Sequence, residues 1–205
     1  MGLAESQRLL ARLSTDADLR SRFAGDPAGV AADFGLSPAE ALALPFGQVE
    51  EFARSLVSKR WGEVELLLPL ACRALGPARF ADLFARHARG YVPAGIKKHR
   101  DDAVAFAGFL AGSEVAPAWV GDLARFEAAA LLAHEPARRF VLARLGHHPA
   151  DLARAATGDG QAPVGRPTLA AWSRWTRGGR PRLIVLSWPP WARRGLTSPS
   201  SPGRL

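Results

Sequence analysis

The sequence predicts a mainly α protein: a multi-helix body, a small C-terminal β-hairpin and a disordered tail. Three observations carry that expectation. Apolar residues recur at helical spacing through residues 1–155, between helix-start signatures. The spacing then changes to strand-type runs on either side of Gly178-Gly179. From Pro189 onward Pro, Ser, Gly and Arg dominate, a composition that cannot build a core. Four segments follow: short N-terminal helices over 1–45, a helical domain over 46–156, a linker and hairpin over 157–188, and the tail over 189–205.

Each element has a local cause. Leu9, Leu10, Leu13, Leu19 and Phe23 space as one helical face, interrupted near Ser14-Thr15-Asp16. Thr15 or Asp16 there caps a second short helix. Asp26-Pro27 starts a third, with Asp26 as N-cap and proline where a missing N–H does no harm. Gly35 ends it. Ser37 and Glu40 have the spacing of a capping box for the next helix. Over 46–60, Val49, Phe52, Ala53, Leu56 and Val57 form an apolar stripe. Residues 63–75 are strongly apolar but contain Pro69, which removes a backbone donor and kinks or divides the helix. After the Gly76-Pro77 break, Phe80, Leu83 and Phe84 mark one face of a helix over 78–90.

Residues 91–95 read as a loop. A helix over 99–110 opens with Asp101 and Asp102 near its positive end. Another over 117–134 turns Trp119, Leu123, Phe126, Ala130 and Leu131 inward. The segment 137–156 is a weaker helical stretch, interrupted by Gly146-His147-His148-Pro149. Residues 167–176 and 181–188 are β-type runs, with Leu183-Ile184-Val185-Leu186 the most strand-like tetrad. Gly178-Gly179 is expected to supply positive φ for a tight turn. An isolated hairpin is marginal in water. This one must pack on the helices, pair with another strand, or receive a partner's strand.

Charge is as uneven as periodicity. The chain is +8 overall, yet its first 159 residues hold 19 basic and 19 acidic side chains. The last 46 residues hold eight arginines, no Asp or Glu, and four of the six tryptophans. Such a segment suits an anionic partner, either an acidic peptide or nucleic acid. Arginine outnumbers lysine by 24 to three, which in so Ala- and Gly-rich a chain reflects a GC-rich genome.

Several classes are disfavoured. No run of 18 apolar residues occurs, so neither a transmembrane helix nor a membrane partner is expected. Residues 1–13 carry Glu5, Arg8 and Arg12 in amphipathic spacing, unlike a signal peptide. The lone Cys72 excludes an internal disulfide and reads as a core residue. A cytoplasmic protein is the expectation. His147-His148 has no carboxylate or cysteine at ligand spacing and reads as a solvated turn rather than a metal site. No catalytic residue, metal ligand set or cofactor is expected. Asp122 and Arg125 stand at the spacing of an ion pair. His87, Arg86, Arg89, Lys97, Lys98, His99 and Arg100 cluster around a loop and either hold a phosphate or carboxylate or solvate a helix end.

The hairpin is the strongest candidate surface. Alternation places Trp172 and Trp175 on opposite faces, so one helical body cannot bury both. Arg and Trp dominate binding hot spots. An edge strand is also a template for an added peptide strand.

The series Leu66-Leu67-Leu68-Pro69-Leu70-Ala71-Cys72-Arg73-Ala74, Arg79-Phe80-Ala81-Asp82-Leu83-Phe84, the 91–95 loop, Lys98-His99-Arg100-Asp101-Asp102-Ala103, Phe106-Ala107-Gly108-Phe109-Leu110 and Asp122-Leu123-Ala124-Arg125-Phe126-Glu127 has a distinctive order. It resembles the helical domain of a bacterial family labelled as a DNA-binding domain. Members of that family are partners of multinuclear non-haem iron oxygenases that modify ribosomally made peptides, as in methanobactin and bufferin pathways. The resemblance covers residues 57–132 and implies a non-catalytic partner subunit. The oxygenase would carry the iron and bind the helical body, with Lys97, Lys98, His99 and Arg100 as the partner-binding cluster. A smaller β-containing region follows that domain in the family and helps engage the precursor peptide. The hairpin occupies the same place here and is shorter. Trp172, Arg174, Trp175, Arg177, Arg180 and Arg182 are the peptide-binding expectation, chosen from their chemistry alone. The alternative is nucleic-acid binding through the same Arg and Trp residues. The neutral body and the lack of a basic recognition helix weigh against it. A third reading is a helical scaffold with a frayed tail.

Overall fold

The computed structural model describes residues 2–94, 96–158, 161–176 and 178–188. In chain order they form α1 (Leu3–Thr15), α2 (Ala17–Gly25), α3 (Pro27–Ala32), α4 (Pro38–Leu42), α5 (Phe46–Leu67), α6 (Pro69–Leu75), α7 (Pro77–Gly90), α8 (Lys98–Gly112), α9 (Val120–Ala133), β1 (Phe140–His147), α10 (Pro149–Thr157), β2 (Gly165–Ser173) and β3 (Arg182–Ser187). The protein is mainly α, with a small C-terminal antiparallel sheet. The segment 189–205, expected to be a disordered tail, lies outside the described residues. Among the described residues no helix is long and apolar enough to cross a membrane.

Two compact units divide the chain. One joins the residues up to Leu67 to 76–106; the other joins 68–75 to the described residues from Ala107 onward.

In the first unit the start signals act as the sequence predicts. Asp16 accepts from the Leu19 N–H at 2.9 Å and caps α2. Asp26 accepts from the Gly29 N–H at 2.9 Å, with Pro27 opening α3. Ser37 and Glu40 close a reciprocal capping box on α4. Gly35, at φ 77°, reverses the chain after α3. Leu9, Leu13, Leu19, Phe23, Val30 and Val49 then share one core, with Phe46 packed on Phe23 at 5.1 Å. The start of α5 thus belongs to the N-terminal core, and no unit boundary falls at residue 45. Helix α5 also runs past residue 60, to Leu67, where Pro69 prevents its continuation. Phe80, Phe84 and Phe106 meet edge-to-face, with ring centroids 5.1 and 5.2 Å apart.

In the second unit the structure corrects the sequence reading. Residues 137–156 are not a helical stretch: 140–147 form β1, and only 149–157 are helical. The apolar outward positions Phe140 and Leu142 hide the alternation that would have marked a strand. Val141, Ala143 and Leu145 face inward against α9. The hairpin therefore pairs with another strand. The order is β1-β2-β3, with Leu142 opposite Ala171 and Ala171 opposite Ile184. The turn is corrected too. The strand pairing ends at Ser173 and Arg182, so the connection is eight residues long. Among the described residues positive φ occurs only at Gly35, Gly76 and Gly158. A loop of that length does not need the left-handed turn that Gly178-Gly179 was expected to form.

Candidate functional site

The sheet has one covered and one open face. Ala143, Leu145, Ala170 and Trp172 pack with Ala129, Ala133 and the half-buried Phe126 of α9. The Trp172 ring lies 5.3 Å from that of Phe126. On the opposite face, register aligns three rows: Phe140, Ser173 and Arg182; Leu142, Ala171 and Ile184; Arg144, Leu169 and Leu186. Phe140, Leu142, Ile184 and Leu186 are 74, 66, 54 and 51% exposed. Four large apolar side chains on one open face are a patch of the kind that marks an interaction surface. The three strands contain no Asp or Glu, and Arg144, Arg166 and Arg182 are exposed.

Among the described residues, none pairs with the outer edge of β3. The Trp188 N–H donates to the Pro167 carbonyl at 3.0 Å, so Leu186, Ile184 and Arg182 also turn their backbone groups toward β2. Leu183, Val185 and Ser187 turn theirs outward. The opposite edge is partly closed: the Asp122 carboxylate accepts from the Gly146 N–H at 2.7 Å and contacts His147 Nδ1 at 2.8 Å. It also receives Arg125 at 3.1 Å, the pair expected from the sequence. His148, meanwhile, is the N-cap of α10, its Nδ1 accepting from the Ala150 N–H at 3.2 Å. The adjacent histidines thus serve two local structural roles. Among the described residues no three His, Cys, Asp or Glu side chains are grouped to hold a metal ion.

The structure separates the six expected peptide-binding residues. Trp172 and Arg174 are buried and leave the candidate surface. Arg174 lies under the end of α9, where its guanidinium donates to the Ala133 carbonyl at 2.8 Å. Trp175, Arg180 and Arg182 are exposed. Arg177 lies outside the described residues. Sequence reasoning missed Phe140, Leu142 and Arg144, which β1 brings to the same face. Apolar residues on both faces of residues 140–143 left no alternation to find them by.

The partner-binding cluster also divides. Lys97, Lys98 and His99 are exposed at the start of α8, and Arg100 pairs with Asp101 at 2.8 Å. His87 is buried and stacks on Tyr91 at 5.0 Å. Beneath it, Arg60 donates twice to the buried Asp102, at 2.8 and 2.9 Å, and once to the Tyr91 carbonyl at 2.9 Å. Burial alone would raise the Asp102 pKa, but Arg60 and His87 hold it below the ordinary carboxylate value. Glu127, on α9, accepts from the N–H groups of Leu70 and Ala71, both at 2.9 Å, and caps α6 from a distance. Burial pushes its pKa up to about 7 against those two bonds.

No protein-family model and no curated protein matches this chain. The resemblance to oxygenase partners rests on its motif series alone.

Proposed function

We propose that this protein is a non-catalytic partner of a multinuclear non-haem iron oxygenase and presents a ribosomally made precursor peptide to it. The peptide adds as a strand at the free edge of β3. Its apolar side chains cover Ile184 and Leu186, and its acidic residues meet Arg182 and Arg180. Trp175 supplies an apolar contact at the turn. One observation carries this reading: among the described residues no strand pairs with the outer edge of β3, which lies beside an apolar face whose strands carry no carboxylate. The motif series of residues 57–132 supplies the oxygenase, with Lys97, Lys98 and His99 as its contact on the helical body.

The exposed Trp175 in a turn with Arg180 favours a second reading, single-stranded nucleic acid. The four exposed aliphatic and aromatic side chains of the sheet have no role in it. Affinity purification of the tagged chain from its native host, with nuclease, separates the two. Recovery of an iron-dependent oxygenase together with a small peptide supports the partner reading. Recovery of neither, with nucleic acid retained when nuclease is omitted, refutes it. A bound peptide should also survive added salt, whereas phosphate contacts weaken steeply.

A further inference from the structure

The first unit holds a groove whose apolar trough has no part in the peptide reading. It has a volume of about 970 Å³ and is walled by α5, α7 and the corner between α1 and α2. That is the upper end of the range for small-molecule clefts, roughly 300–1,000 Å³. Its walls are apolar and narrow in side-chain size: Ala53, Leu56 and Val57 from α5 face Ala81, Ala85 and Ala88 from α7. Along α5 the lining extends from Glu50 to Trp61. At 1.5 Å per residue that is a trough about 16 Å long.

The rim is cationic. Arg54 and Lys59 line it from α5, Arg89 from the last turn of α7 and Lys98 from the first residue of α8. Among the described residues none of these four forms an ion pair. Two other lining charges are committed inside the unit: Arg60 to Asp102, and Arg20 to the Leu13 carbonyl. Glu50 is the remaining carboxylate of the lining. Four uncommitted cations against one carboxylate select for negative charge. Arg89 and Lys98 flank the loop between α7 and α8, at the end of the trough where Val92 and Pro93 also line it.

We propose that this groove binds an elongated anionic amphiphile. A carboxylate or phosphate head sits at Arg89 and Lys98, and an apolar chain lies along Ala53, Val57 and Ala85. The site does not involve the β3 edge; it shares Lys98 with the oxygenase contact proposed above, and the peptide assignment at β3 stands without it.

The test is a titration of the full chain with sodium dodecanoate, dodecyl phosphate and dodecyltrimethylammonium, each below its micelle concentration. Tryptophan emission is followed in the wild type and in Trp61→Phe, since Trp61 lines the groove. At least one anionic amphiphile saturates the wild type at one molecule per chain, and the response disappears in Trp61→Phe. Preference between the two anions identifies the head as carboxylate or phosphate. Arg89→Glu with Lys98→Glu weakens binding at least tenfold. Ala85 is exposed on the groove wall, so Ala85→Phe fills the trough without entering a core. It abolishes binding while thermal unfolding stays near wild type. Should the charge variant not fold, Ala85→Phe decides. The proposal is overturned by equal binding of the cationic amphiphile, by no anionic binding, or by wild-type affinity in Ala85→Phe.

Discussion

Arg174, the residue after β2, caps α9: its guanidinium donates to the Ala133 carbonyl at 2.8 Å, at the last residue of the helix. Its own N–H donates to the Arg139 carbonyl at 2.9 Å, where β1 begins to pair with β2. A cation at a helix C-terminus meets the negative end of the backbone dipole. Arg174→Ala removes a buried charge-assisted bond and is expected to lower stability by about 1.5–3 kcal/mol in urea unfolding. Peptide affinity per folded molecule should stay within about twofold of wild type, as expected for a side chain that is structural.

Val185 tests the strand edge. Its backbone N–H faces away from β2, so Val185→Pro removes a donor from the open edge and none from the ladder. The expected outcome is at least a tenfold loss of affinity for the co-purified peptide in a calorimetric titration. That corresponds to about 1.4 kcal/mol. The melting temperature should move by only a few degrees. Unchanged affinity would place the peptide elsewhere.

Arg60 holds a carboxylate that is 1% exposed. Arg60→Met leaves Asp102 buried without its main partner and should cost about 3–5 kcal/mol. The sign of the pH dependence should also change. In the wild type the Asp102 pKa is depressed, so its contribution is present at neutral pH and lost as pH falls through the folded value. In Arg60→Met burial dominates and raises it, so that variant should gain stability on acidification. Unfolding of both proteins between pH 3 and 7 checks this.

Glu127 gives the opposite slope in the wild type. Its pKa is raised from 4.5 to about 7, so the folded state keeps a proton that the unfolded state has lost. Its contribution is fully present below pH 4.5 and declines as pH rises to about 7, by up to about 3 kcal/mol. Glu127→Gln cannot titrate. The stability advantage of wild type over this variant should therefore shrink between pH 5 and 8.

Local chemistry was the legible part of the fold. Caps at Asp16, Asp26 and Ser37, and the break at Pro69, depend on neighbours within a few residues, and each stands where the sequence places it. β1 was not legible because its open face is as apolar as its covered face, and its partner β2 begins only after an intervening helix, α10. The candidate surface was half legible for the same reason. Trp172 is buried and Trp175 exposed, but Trp175 lies beyond the end of β2, where strand alternation no longer applies, and Arg174 is buried against the end of α9, a contact its own segment does not reveal. Glu127 as a remote cap of α6 has no local signature at all.

The most direct test of the peptide reading is amide hydrogen exchange on the protein, free and bound to the peptide recovered with it. The amides of Leu183, Val185 and Ser187 face outward from β3 and should exchange quickly in the free chain. Strand addition predicts that these three slow at least tenfold on binding, while Ile184 and Leu186, already bonded to β2, change little. Unchanged exchange at Leu183, Val185 and Ser187 with bound peptide would contradict the account.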